Sequence, residues 1–393
     1  MKEPVYLDYN ATTPVAPEVA DAVIPYLREH FGNPSSAHVF GQRAKLAVAQ
    51  ARARVAALIN ARAADMVFTG CATEANNLAL LGVARAHGRP GHLIISAVEH
   101  PAVAAPAKRL EEDGWAVTVV PVDEYGRISP QDVRAALRPD TVLVSVMHAN
   151  NEIGTLQPVA EIASIVKAHG ALLHTDAAQS AGKVPLDVEA LGVDLLTLAG
   201  HKFYAAKGVG ALYVRPGTPI ASVLAGADHE QGLRPGTENV PAIVGLGEAA
   251  RLALERLPVA ELRLKALRDL LHGKLGKAVS GLRLNGDPEH RLPNTLHVSF
   301  PGIAGRDLLE LCAEDVAASL GSACHSHGDA VSGVLAAMGF DTERAMGAVR
   351  LSVGWMTTDE EIERAAVALA TAFQIARERK SPVKDGKIPK KEK

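Results

Sequence analysis

The sequence predicts an α/β protein with a mainly parallel sheet, followed by a smaller α+β region. Three observations carry that prediction. From about residue 64 to 214, short apolar runs alternate with helical stretches. Runs such as Val142–Met147 are apolar throughout, as expected of strands covered on both faces. After Val240 the texture changes to one long helical stretch, then to a shorter mix of strands and helices.

A helix over Ala75–Ala86 opens the first region. The expected strands are His92–Val98, Ala116–Val122, Val142–Met147, Ala171–Thr175, Asp194–Leu198 and Gly210–Val214. Helices Pro101–Asp113, Pro130–Leu137 and Val159–His169 lie between them. The run AIVGLGEAARLALERL marks the long helix, which reaches about residue 280. Beyond it, strands Leu292–Phe300 and Ala348–Val353 flank helices Asp307–Glu314 and Val331–Met338. The last helix starts at a capping box, with Thr358 followed three residues later by Glu361. The domain boundary is placed near residue 257. Residues 13–256 form the large domain, 1–12 and 257–376 the small one, and 377–393 a basic tail, Lys- and Pro-rich and expected to be disordered.

Apolar residues make up 48% of the chain and aromatics only 4%, so the core is expected to be ample and aliphatic. The net charge of −3 includes a tail with a basic excess, so the body is mildly acidic. That argues against nucleic-acid binding as the main task. The tail is either solvated or a docking segment. Three cysteines, Cys71, Cys312 and Cys324, suggest a reducing compartment and no disulfide framework. The first ten residues lack the apolar stretch of a signal peptide, and no apolar run is long enough to span a membrane. A cytoplasmic protein is expected, with a cleaved organellar transit peptide left open.

The chemistry-bearing motifs fall at strand ends. Lys202, in Ala199-Gly200-His201-Lys202, follows an apolar strand. It is either a solvated loop residue or an amine able to form a Schiff base where its surroundings lower its pKa. Asp176, in His174-Thr175-Asp176-Ala177-Ala178-Gln179, caps a turn or pairs with the pyridinium nitrogen of pyridoxal phosphate (PLP). Gln179 can bond the ring hydroxyl oxygen of the same cofactor. Ends of strands in one sheet line the ligand crevice of open α/β folds. The small residues of Thr69-Gly70-Cys71-Ala72-Thr73 begin an ordinary helix or offer N–H groups and a hydroxyl to a phosphate. His100 is structural, or stacks on a ring and moves protons. The amides of Asn150-Asn151-Glu152 orient a substrate or make an Asx-turn. Cys324 sits in the small-residue loop Gly321-Ser322-Ala323-Cys324-His325-Ser326, unlike Cys312 in its apolar run. It is a spare thiol or a reactive one. Arg350, inside an apolar strand, wants a carboxylate, either a structural partner or a substrate's own. No metal site is expected.

These residues converge. The chain resembles the cysteine desulfurases, in the class V aminotransferase group of fold-type I PLP enzymes. The resemblance runs from Tyr6-Leu7-Asp8-Tyr9-Asn10-Ala11-Thr12-Thr13-Pro14 to Arg350-Leu351-Ser352-Val353-Gly354. It passes through FGNPSS, ANNEIG, HTDAAQSAGK, GHKFY, RPGTEN and GSACHS. It implies a seven-stranded, mainly parallel sheet in the large domain. It makes Lys202 the Schiff-base lysine, Asp176 the pyridinium partner, Gln179 the ring-hydroxyl ligand and His100 the stacking group. Thr73, His201 and the backbone at Ala72 hold the phosphate. Thr237 reaches the phosphate of a neighbouring subunit's cofactor, which implies a homodimer. Arg350 and Asn151 take the substrate carboxylate. Cys324 receives the sulfur of L-cysteine as a persulfide, alanine leaves, and an acceptor protein (a scaffold or thiotransferase, as in iron–sulfur cluster assembly) takes the sulfur.

This sequence departs from the family pattern at Ala199, Gly70-Cys71, Gly226-Ala227-Asp228-His229 and Trp355. Those positions bear on cofactor affinity and on the dimer interface. Cys324-His325-Ser326 and RPGTEN also resemble selenocysteine lyases, so selenocysteine is a second candidate substrate. Competing readings are a PLP lyase or aminotransferase that uses Lys202 without Cys324, and a non-catalytic scaffold. A nucleotide-binding protein is disfavoured by the missing G-x-G-x-x-G after the first strand.

Overall fold

The computed structural model describes residues 3–321 and 332–380. Strand β1 (Val5–Tyr6) comes first. Seven strands then form the main sheet: β2 (Met66–Thr69), β3 (His92–Ser96), β4 (Ala116–Val120), β5 (Thr141–Ser145), β6 (Leu172–Asp176), β7 (Leu195–Ala199) and β8 (Gly210–Val214). Their order is β2-β8-β7-β6-β5-β3-β4. Only β8 runs against the rest, pairing antiparallel with β2 and β7. The mainly parallel seven-stranded α/β sheet expected from the sequence is therefore present.

The uniform apolarity of the strands has a simple cause. Alternate residues face opposite sides, and both sides are covered. Leu93, Leu143, Leu195 and Leu212 pack with helix Ala72–His87 and helix Pro101–Glu112. Ile94, Val144, Leu196 and Ala211 pack on the other face, under helices Val39–Leu58, Val159–His169 and the start of Val240–Ala278. Helix Val39–Leu58 buries Ala44, Ala47, Ala51 and Val55. It approaches the long helix so closely that a Cβ on Gly247 would lie 2.6 Å from the Ala51 Cα.

A second core is built from Leu264, Leu267, Leu271 and Leu275 of the long helix, with residues of β10 (Thr295–Ser299) and β12 (Ala348–Ser352). Strand β9 (Arg283–Leu284) extends this sheet. Strand β1 pairs in parallel with β11 (Val316–Ala317), so Val5 and Leu7 join the second core although they begin the chain. Helix Val240–Ala278 runs unbroken through residue 257 and serves both cores.

The last helix, Asp359–Lys380, starts at the expected box: Thr358 N–H donates to Glu361 and Glu361 N–H to Thr358 Oγ1. It continues past 376, so residues 377–380 are helical rather than part of a disordered tail. The run from Thr357 carries apolar positions far enough that Ala376 still packs in the second core. Among the described residues, no helix is long and apolar enough to cross a membrane.

Candidate active site

Strands β3 and β4 step outward along the sheet, whereas β5 lies on the other side of β3. Chains leaving β3 and β5 therefore part, and a crevice opens beyond their ends. A cavity of about 520 Å³ sits there. Of the site residues expected from sequence, Ala72, Thr73, His100, Asn151, Asp176, Gln179, His201, Lys202 and Arg350 all line it. Thr237 is exposed and outside this cavity, and Cys324 lies outside the described residues. Gly321 and Gly333, close to the two ends of that segment, line the cavity.

A short 3-10 turn, Gly200–Lys202, carries the lysine away from β7. Lys202 Nζ donates to the carbonyls of Asn10 and Ala11, each at 2.7 Å. Burial, then the positive charge of Arg350, pushes this amine down to about 8. A usable fraction is thus uncharged near neutral pH, as a nucleophile or proton acceptor requires.

Asp176 ends β6 and is 5% exposed. Asn76 Nδ2 donates to its Oδ2 at 2.7 Å and the Ala178 N–H to its Oδ1 at 2.9 Å. Among the described residues it makes no salt bridge. A buried carboxylate without a cationic partner is costly, and a protonated ring nitrogen would relieve that cost.

The phosphate end of such a ring also finds its counterpart. Ala72 and Thr73 open helix Ala72–His87. Gly210 lets that helix start sit tightly against the sheet, since a Cβ there would lie 2.7 Å from the Cys71 carbonyl carbon. His201 Nδ1 lies 3.2 Å from Thr12 Oγ1. Burial, then Lys202, Lys207 and Lys183, drives the His201 ring down to about 4. The same positive field that keeps this imidazole neutral favours an anion beside it. Ala199 lines the cavity without adding a donor. The residues present fit PLP.

His100 caps helix Pro101–Glu112, its Nδ1 accepting from the Ala102 N–H at 3.1 Å. Burial lowers its pKa. The neutral ring keeps its proton on Nε2.

Arg350 is 3% exposed and extensively engaged. It donates to Asp8 Oδ1 at 2.7 Å, to the carbonyls of Asn151 and Gly321 at 3.0 and 3.1 Å, and to Ser319 Oγ at 3.2 Å. Its Nε is buried with no hydrogen-bond partner among the described residues. The structural carboxylate is Asp8, on a guanidinium that also faces the cavity.

Four participants escaped sequence reasoning. Asn10 supplies the carbonyl beneath Lys202, and Asn76 holds Asp176. Lys183 bonds Gln179, as described below. Glu99 accepts from Ser96 Oγ at 2.7 Å and the Met147 N–H at 2.8 Å, while its Oε2 is buried without a partner. Burial pushes this carboxyl up to about 8, so it is mostly protonated at neutral pH. Its neighbour His100 drew notice by residue type, whereas the importance of Glu99 comes from burial. Trp355 stacks on Tyr204 with ring centroids 3.6 Å apart, and Arg256 covers it at 4.2 Å. This departure from the family pattern is packed into the structure.

A half-buried lysine and a buried aspartate at neighbouring strand ends, with an anion cradle beside them, define a PLP enzyme of the α/β type. The aminotransferase class-V family model matches residues 5–365, and the chain belongs to that family. It is 46% identical over 364 residues to the cysteine desulfurase IscS of Dictyoglomus turgidum, covering 92% of each chain. It is 45% identical to cysteine desulfurase IscS 1 of Archaeoglobus fulgidus, covering 91% of this chain and 94% of that one. A solved NifS-like protein superposes with a TM-score of 0.88 at 39% identity, over 95% of this chain and 99% of that one. The structure of SspA in complex with cysteine gives 0.81 at 36% identity, over 90% and 99%.

Proposed function

We propose that this protein is a PLP-dependent cysteine desulfurase. It converts L-cysteine to L-alanine and passes the sulfur, through a persulfide on Cys324, to an acceptor protein. The observation that carries this reading is one cavity in which a half-buried amine of lowered pKa, a buried carboxylate with no salt-bridge partner among the described residues and a buried guanidinium meet. The desulfurase relatives support it.

Bound PLP supplies an aldehyde that captures amines and a ring that takes up the electron pair left at a substrate's Cα. Asp176 holds the proton on its ring nitrogen. Thr73, His201 and the N–H at Ala72 hold its phosphate, and Gln179 meets its ring hydroxyl. Lys202 would anchor it and would accept the substrate's Cα proton at Nζ. His100 stacks on the ring and moves protons at Nε2. Arg350 and Asn151 orient the substrate carboxylate. The Cys324 thiolate attacks the substrate sulfur, the carbon–sulfur bond breaks and a sulfur–sulfur bond forms. The electron pair and a proton stay with the product, alanine, so no outside oxidant is needed.

The same reading makes the enzyme a cytoplasmic homodimer, in which Thr237 serves a neighbouring subunit. Its acceptor is a scaffold or thiotransferase in iron–sulfur cluster assembly. Residues 13–256 form the large domain and 1–12 with 257–376 the small one, each with its own apolar core.

The test is incubation of the purified full chain with PLP, L-cysteine and dithiothreitol. Alanine and sulfide should form in equal amounts without a keto acid. Alanine that appears only when a keto acid is supplied would replace this reading with an aminotransferase.

A second expectation concerns Arg350→Ala. Loss of a charge-assisted carboxylate contact costs about 3 kcal/mol, which raises KM for L-cysteine about a hundredfold. A lower Tm with unchanged KM would make Arg350 a structural partner of Asp8 and not a substrate ligand.

A further inference from the structure

Lys183 is a buried amine, 6% exposed, that the mechanism above does not use. It lies one turn after Gln179, because residues 177–184 wind into a helix-like turn. Ser180 and Ala181 donate to the Ala177 carbonyl, and Lys183 and Val184 to that of Ser180. Lys183 Nζ therefore reaches back and donates to Gln179 Oε1 at 2.9 Å. On its other side Gln179 Nε2 donates to the Asn10 carbonyl at 2.9 Å, the same oxygen that accepts from Lys202.

The orientation of this amide is not free. A carbonyl can only accept, so Nε2 must face Asn10, and an amine donates to the oxygen left over. Gln179 lines the cavity. One N–H of its Nε2 is spent on Asn10, and no acceptor among the described residues takes the other. We infer that Lys183 is a positioning residue: it fixes the Gln179 amide so that an N–H, and not a carbonyl, meets the ring oxygen of the cofactor. This inference rests on the reading that the cavity takes PLP.

The alternative, a lysine that merely fills space, sits poorly with its surroundings. Burial, then the positive charges of Lys202 and Arg350, lowers the pKa of Lys183. Tyr9 and Tyr204 line a small void that both lysines border, and His201 stands within range of its charge. Asp176 and Asp8 act on Lys202. An amine kept among cations and burial costs stability. Among the described residues, the bond to Gln179 is the one hydrogen bond its side chain makes.

The test uses a property of the bound cofactor other than turnover: the pH midpoint of its visible absorption in the full-length holoenzyme. An N–H on the ring oxygen stabilises that oxygen as an anion and so favours loss of the proton it shares with the adjacent nitrogen. In Lys183→Met the amide is released and the donor is lost part of the time. The midpoint should rise by about one pH unit. A positive charge on Lys183, if present, acts in the same direction, because removing it also favours the protonated form. Lys183→Gln separates the two. It returns a neutral donor to Gln179 Oε1, and the midpoint should fall back towards wild type. The Tm of the cofactor-free Lys183→Met protein should not fall, since methionine removes a buried amine without leaving a hole.

An unmoved midpoint in Lys183→Met overturns the inference, as does a shift that Lys183→Gln does not reduce. A wild-type protein that develops no visible band with PLP fails earlier, at the reading of the cavity itself.

Discussion

Lys202→Ala should purify colourless or with PLP that dialysis removes, and alanine formation from L-cysteine should fall at least about a thousandfold. Two functions leave with one side chain. The amine that anchors the cofactor is gone, and so is the group that takes the Cα proton; a positioned general base alone contributes roughly 10²–10⁴-fold. No other lysine can step in. Lys183 is the other buried amine nearby, but it does not line the main cavity and its Nζ is bonded to Gln179. The fold should survive. Lys202 Nζ rests on two carbonyls that water can satisfy once the side chain is cut back, so an unchanged circular dichroism spectrum accompanies the loss. A visible band identical to wild type in the mutant would move the anchoring role to another residue.

Cys324→Ser should divide the reaction in two. The mutant retains every cavity residue named above, so it still binds PLP, and L-cysteine still perturbs its visible spectrum. What it lacks is a soft thiolate. A serine hydroxyl is far less nucleophilic at neutral pH and cannot carry a persulfide. Alanine and sulfide from L-cysteine should therefore collapse together, by about a thousandfold or more. With L-selenocysteine the loss should be smaller, because the weaker carbon–selenium bond breaks without that attack. In wild type, mass spectrometry should find an adduct of roughly 32 Da, one sulfur, on the Cys324 peptide. Full activity in the mutant, or an adduct confined to Cys71 or Cys312, ends the assignment.

The parts of this fold legible in the sequence are those governed by local pattern. Strands β3 to β8 could be read because each carries a short, mostly apolar run, and all but the edge strand β4 are largely buried on both faces. Their ends could be read because chemistry-bearing residues stand where apolar runs stop. The helices Pro17–Arg28 and Val39–Leu58 were not foreseen. The second buries mostly alanines between arginines and glutamines, a stripe too weakly apolar to stand out. Strand β2 is apolar but only four residues long, too short for its pattern to stand out.

In the site, residue type sufficed to single out Lys202, Asp176 and His100, which all line the cavity. It did not suffice for Glu99, Asn76 or Lys183, whose roles arise from burial and from partners far away in sequence. Asn76 and Asp176 are 100 residues apart. Arg350 shows the same limit, since its need for a carboxylate was visible but Asp8, 342 residues away, was not.

The path of residues 5–10 has a consequence for biosynthesis. Asn10 lays the floor under Lys202 and Gln179, yet it is itself held by Thr295 Oγ1, Asn294 Nδ2 and Ser352 Oγ. On the ribosome this segment emerges before those partners and waits until residue 352 has been made. Nascent chains stalled shortly before residue 352 can have a finished main sheet and still lack a finished pocket.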